Sequence, residues 1–246
     1  MHRYIRTTAR SVLALAATCG TLTLAATGTA SADTPINGCY ANSTVPGFFK
    51  PVSVSIGTGS TCTADTGTGN KAIARNGGNA EAGLAPSDSG NYANANGGSA
   101  VAGNGSGNVA TNTGSGFALA VGSNNTSTNT GSGQALTANG SNNVATNNGS
   151  GTAQALDGNN NSSTNNGSGV AATGGGNNNV AINTGSGSAQ ATAGNNNLAI
   201  NDGSGFAVAN NGSNNVAKQS GTGFAHAHAP TGCTAVSTNG TVVNCP

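Results

Sequence analysis

A chain of 246 residues with 5% charged and 3% aromatic side chains, no tryptophan and a formal net charge of +1 has no electrostatic footprint for nucleic acid or an anionic lipid surface. With 41 glycines and a hydrophobic fraction of 35% that is largely alanine, it also lacks the bulky apolar residues of an ordinary oily core.

Residues 1–32 have the three parts of a secretory leader: Arg3, Arg6 and Arg10, an apolar run from Val12 to about Ala26, and Ala30-Ser31-Ala32 as an A-x-A cleavage site. The run is too short and too rich in small residues for a membrane span, and no later segment is a transmembrane candidate. Ala16-Ala17-Thr18 before Cys19 lacks the large aliphatic residue of a lipobox, which argues against a lipid anchor. The expectation is an exported mature chain. Its four cationic residues (Lys50, Lys71, Arg75, Lys218) face six carboxylates, a net charge of −2.

Residues 33–66 read as an N-terminal cap, with Pro35, Pro46, Phe48, Phe49 and Pro51 around the alternating strand Val52-Ser-Val-Ser-Ile56. Four cysteines remain after the leader, two before the repeats and two after them. In an exported chain that placement favours local disulfides, Cys39 with Cys62 and Cys233 with Cys245; the spacings do not suit zinc.

From 67 to 229 the sequence repeats. Gly-Ser-Gly or Gly-Thr-Gly begins at Gly114, Gly131, Gly149, Gly167, Gly185, Gly203 and Gly221, and a second half-unit begins at Gly105, Gly122, Gly140, Gly158, Gly176, Gly194 and Gly212. After one step of seventeen, every step is eighteen, and two looser copies begin at Gly67 and Asp88. Nine repeats of two half-units predict an all-β, two-sheet β-solenoid of about nine coils, because a repeat this short buries nothing until it stacks on its neighbours. Recurrent glycine excludes the helical period, whereas alternation such as Phe206-Ala-Val-Ala-Asn210 indicates short strands. Disorder is the rival reading of such a polar composition, and the strict phase counts against it.

Column by column, small residues recur on one face: Ala110 with its equivalents in the first strand, Ala118 and Ala120 with theirs in the second. These are predicted to face inward, since cores tolerate less volume change than surfaces. Asn112, Asn129, Asn147, Asn165, Asn183 and Asn201 fall on the same face, where stacked amides can hydrogen-bond rung to rung. Residues 230–246 are the predicted C-terminal cap, a disulfide-stapled hairpin that covers the open strand edges.

No catalytic constellation is present. The carboxylates are scattered, no group orients a histidine toward any serine, and His226 and His228, which share an outer face, read as polar decoration or a weak metal pair. The expectation is a non-enzyme without cofactor or metal. The outward columns of the second strand carry Phe117, Leu119, Leu136, Val170, Phe206, Val208 and Phe224, a candidate interaction face. Thr111-Asn-Thr113 and Thr128-Asn-Thr130 are spaced like an ice-binding threonine array, which Asn148, Asn166, Ile182, Ile200, Asp202 and Lys218 then interrupt.

The paired nonapeptide-like half-units resemble the calcium β-roll of RTX proteins, but turns such as Gly140-Ser-Asn-Asn143 lack its aspartates, so calcium ligation is not implied. The pattern Asn-Val-Ala-x-Asn-x-Gly-x-Gly-x-Ala at 108–118 and 179–189 is similar to repeats in trimeric autotransporter adhesin heads and, with Asn in place of Gln ladders, to curlin repeats. That resemblance implies a bacterial surface or matrix role. The resulting expectation is a secreted structural or adhesive protein whose partner is a surface, a matrix or itself. Ice binding and an amyloid-like matrix fibre are the alternatives.

Overall fold

The computed structural model describes residues 38–42, 52–56, 59–64 and 67–245. The expected leader and the prolines and phenylalanines expected to shape the N-terminal cap lie outside the described residues. Two sheets, of twelve and eleven strands, account for all the regular structure among the described residues, and no helix there is long and apolar enough to cross a membrane.

At the N-terminal end, β1 (Gly38–Asn42) and β2 (Val52–Ile56) form an antiparallel pair, and β1 also runs antiparallel to β4 (Lys71–Arg75). All later pairing in that sheet is parallel, as is every pair in the eleven-stranded sheet that begins at β3 (Thr61–Ala64). From β2 onward successive strands of the chain alternate between sheets, so each eighteen-residue period is one coil. The register is in phase throughout: Asn112, Asn129, Asn147, Asn165, Asn183 and Asn201 are consecutive partners, and so are Ala118, Ala135, Ala153, Ala171, Ala189 and Ala207.

The coil count exceeds the nine expected from the glycine register, with about ten turns. The tail does not form the expected hairpin. Its strands Thr234–Thr238 and Val242–Cys245 run parallel to Val216–Gly221 and Phe224–His228 as one more coil. The reason is visible in register: Ala235 follows Ala217 and Ser237 follows Gln219, so the inner columns continue although the Gly-Ser-Gly and Gly-Ser-Asn-Asn motifs have gone. The disulfides pair as the spacing suggested, Cys39 with Cys62 and Cys233 with Cys245, at Cα separations of 5.7 and 6.1 Å. Each ties one sheet to the other at an end of the stack.

The interior is thin. The inward-facing strand alanines from Ala72 to Ala235 have no exposed surface, and alternate residues along each strand point out. Glycine columns set the coil spacing: a Cβ on Gly133 would lie 1.8 Å from the carbonyl oxygen of Gly151 in the next coil, closer than any side chain permits. Other turn positions need a left-handed backbone, which asparagine tolerates; Asn142 and Asn160 adopt φ of 59° and 58°.

Two asparagine ladders run through the stack. In the expected one, each Nδ2 donates to the Oδ1 of the previous coil (Asn147 to Asn129 and Asn165 to Asn147, both 2.7 Å) and also to a glycine carbonyl two residues ahead. This ladder stops at Gln219, whose longer amide finds no partner and leaves Asn201 Oδ1 unpaired as well. The second ladder was not anticipated. Nine buried asparagines from Asn70 to Asn215 each precede a strand of the twelve-stranded sheet. The Oδ1 of each accepts the backbone N–H of the next, as from Asn161 to Asn143 at 3.0 Å, while Nδ2 reaches a turn carbonyl, as from Asn143 to Gly158 at 2.8 Å. It pins every strand entrance to the adjacent coil, and its last oxygen receives the N–H of Cys233.

Candidate interaction surface

Parallel in-register stacking turns every outward residue into part of a column with a rung spacing of about 4.8 Å. The seven residues of the expected interaction face all lie outward on the eleven-stranded sheet, in two columns. Register groups them unevenly. Leu119 lies between Val101 and Leu136 with Phe117 in the same strand, which makes one apolar patch. Phe206, Val208 and Phe224 make a second, with the Phe206 and Phe224 rings 6.3 Å apart. Val170 stands between Thr152 and Ser188 and joins neither. Gln154, Ala172 and Gln190 fill the column between the patches. Phe206 is the most open residue of the face, half exposed, while the others are partly covered by their neighbours.

The outer face of the twelve-stranded sheet is more regular than its sequence suggested. Thr111, Thr128, Thr146 and Thr164 stack as four consecutive rungs, and Ile182 and Ile200 extend the column with the same β-branched shape. Beside it run Val109, Thr126, Val144, Ser162, Val180 and Leu198. The interruptions read from Asn148, Asn166 and Asp202 fall in a third column at the strand ends, where exposed side chains hydrogen-bond along the stack (Thr130 to Asn148, Asn148 to Asn166, Thr184 to Asp202). Lys218 alone replaces a β-branched residue in the threonine column of these coils. The regularity lies in the lateral pairing of Thr111, Thr128, Thr146 and Thr164, which the tripeptides taken one strand at a time do not display.

A carboxylate also missed by sequence is structural. Asp88 is buried, and its oxygens accept four backbone N–H groups, from Leu84, Ala85, Asn104 and Gly105. Burial pushes its pKa up, but the four donors outweigh that and hold it below the ordinary carboxylate value. Asp88 thus anchors the irregular loop that lengthens the second coil, and all of its ligands are main-chain. Among the described residues no three His, Cys, Asp or Glu side chains gather into a metal cluster.

Comparison of the chain with models of protein families, with curated proteins and with solved structures finds no match.

Proposed function

We propose that the protein is a secreted structural or adhesive surface protein that acts by presenting repeated side-chain columns rather than by catalysis. The observation that carries this reading is the uninterrupted register of both sheets over the eighteen-residue repeats, which makes a stiff scaffold with outward columns at constant spacing. Many weak identical contacts on such a scaffold sum through effective concentration, so modest apolar patches suffice for firm attachment. The two disulfides fit an oxidising compartment, and the leader-like residues 1–32 support export.

The test is retention under flow of beads coated with the mature chain, on cell-surface and matrix preparations and on apolar and polar synthetic surfaces. The expected result is retention that collapses when Leu119, Leu136, Phe206 and Phe224 are changed together to Ser, with the circular-dichroism spectrum unchanged. No retention on any surface would overturn the adhesive reading, and concentration-dependent fibres with a cross-β reflection would replace it with a matrix fibre.

The four-threonine column and its β-branched flanks favour a second reading, ice binding, since a flat array of methyls and hydroxyls at fixed spacing can order water. Thermal hysteresis that falls on changing Thr128 and Thr146 to Lys would establish it. Absence of hysteresis and of ice-crystal shaping in the parent protein would remove it.

A further inference from the structure

At the C-terminal end of the eleven-stranded sheet, His226 and His228 project outward from one strand with ring centroids 5.5 Å apart, edge to face. The two rings turn different nitrogens toward one atom: His226 Nε2 is 3.1 Å and His228 Nδ1 3.0 Å from Asn210 Oδ1 on the neighbouring strand. Asn211 Nδ2 also lies 3.1 Å from His228 Nδ1. These contacts conflict as hydrogen bonds. A ring nitrogen either donates a proton or accepts one, so His228 Nδ1 cannot donate to Asn210 and accept from Asn211 together. The neutral tautomers with protons on His226 Nε2 and His228 Nδ1 satisfy Asn210 Oδ1, but they leave Asn211 Nδ2 without an acceptor on His228. Burial first, and the neighbouring His228 second, hold the His226 pKa below its ordinary value. In a neutral imidazole one ring nitrogen carries a lone pair, and tautomer exchange can place it on the nitrogen that faces Asn210.

We propose that His226, His228 and Asn210 form a surface site for a divalent transition-metal ion of the imidazole-preferring kind, Cu(II) or Zn(II). A cation bound to both nitrogens and the amide oxygen replaces the contested protons with lone-pair donation. The two nitrogen-to-oxygen separations suit it, because cis donors on a metal with bonds of about 2.1 Å lie about 3 Å apart. Water completes the coordination on the solvent side. The Phe224 ring against His226, centroids 5.8 Å apart in an edge contact, holds the first imidazole in place. The strands on either side, Phe206–Ser213 and Val242–Cys245, carry no charged side chain that would repel or compete for the ion. Imidazole ligands favour Cu(II) most strongly among the first-row divalent ions.

The test uses the untagged, oxidised mature chain after chelator treatment, titrated with Cu(II) and separately with Zn(II) by calorimetry, with electron paramagnetic resonance of the Cu(II) form. The expected result is one ion per chain, nitrogen hyperfine structure from two imidazoles, and binding weakened about tenfold or more by His226→Ala or His228→Ala. Asn210→Ala should weaken it less, and Asn244→Ala, next to His226 in register but outside the cluster, should not change it. All four positions face outward, so unchanged circular dichroism confirms that each variant is folded. Equal stoichiometry and affinity in the double histidine variant, or a copper spectrum without imidazole nitrogen, would overturn the proposal.

Discussion

A buried asparagine in this protein is worth more than its size suggests, because its amide has a partner in each direction. Asn147 donates to Asn129 and to the Gly149 carbonyl, and its own Oδ1 accepts from Asn165. Asn147→Ala removes these bonds and strands two buried polar groups, so it should lower unfolding free energy by about 2–4 kcal/mol. The adjacent Asn148, which is exposed and bonded to Thr130 and Asn166, should cost no more than about 0.5 kcal/mol on the same change. Urea midpoints of the two variants check the contrast, and equal losses would mean that the ladder adds nothing beyond an exposed contact. Acid supplies a second residue-scale outcome. The Asp88 pKa is lowered in the folded chain, so its contribution is complete above about pH 4 and is lost as pH falls through the depressed folded value. His226 is depressed too, and the unfolded chain therefore takes up that proton first as pH drops below about 6.5. Stability should fall in two acid steps. Asp88→Ala should abolish the lower step and His226→Ala the upper.

The coil is the element that folding and evolution can handle as a unit, and the strict phase makes this testable. Deleting residues 144–161 joins Asn143 to Ser162, and since Val144 and Ser162 are register partners, every column stays in phase. The shortened chain should fold to the same β spectrum with a modestly lower melting temperature. Deleting only 144–152 should prevent cooperative folding, because it sets first-strand residues against second-strand columns. Similar behaviour of the two deletions would contradict nearest-neighbour stacking. This modularity also explains what could be read directly from the residues. Glycine period, inward alanines and the Asn112 ladder repeat at one spacing and so announce themselves. The Asn143 ladder was hidden because its members from Asn125 to Asn215 each follow a turn asparagine such as Asn142, and residue type alone does not separate a left-handed turn residue from a buried amide. The tail coil was hidden for the opposite reason: Ala235 and Ser237 keep the inner columns while the Gly-x-Gly marker of the period disappears. At the surface, outward direction was legible for all seven interaction residues, but their division into two patches, like the convergence of His226 and His228 on Asn210, depends on lateral register between strands.

Over the whole molecule the ends must be weaker than the middle. An inner coil is bonded on both sides, whereas Thr234–Thr238 and Val242–Cys245 pair on one side only, and at the other end β1 meets β4 antiparallel without the interior ladders. The disulfides sit where this deficit is greatest. Cys39–Cys62 closes 23 residues and Cys233–Cys245 closes 12, and each should restrict the frayed state by roughly 3 kcal/mol on the chain-entropy estimate. In a stack with only neighbour contacts, removing the bridges should loosen the ends without unfolding the centre. Hydrogen exchange followed by mass spectrometry, with and without reductant, measures this. Reduction should accelerate exchange at 38–42, 52–56, 59–64 and 216–245 while 108–201 stays protected. Uniform acceleration would show that the solenoid unfolds as one unit, and no change would show that the bridges do not staple the ends. Frayed ends also expose in-register strand edges, which are templates for pairing with another copy. Reduction should therefore raise the sedimentation coefficient with concentration, and the oxidised chain should not show that rise. An oxidised chain that assembles equally well would place fibre formation, not capping, at the centre of what this architecture does.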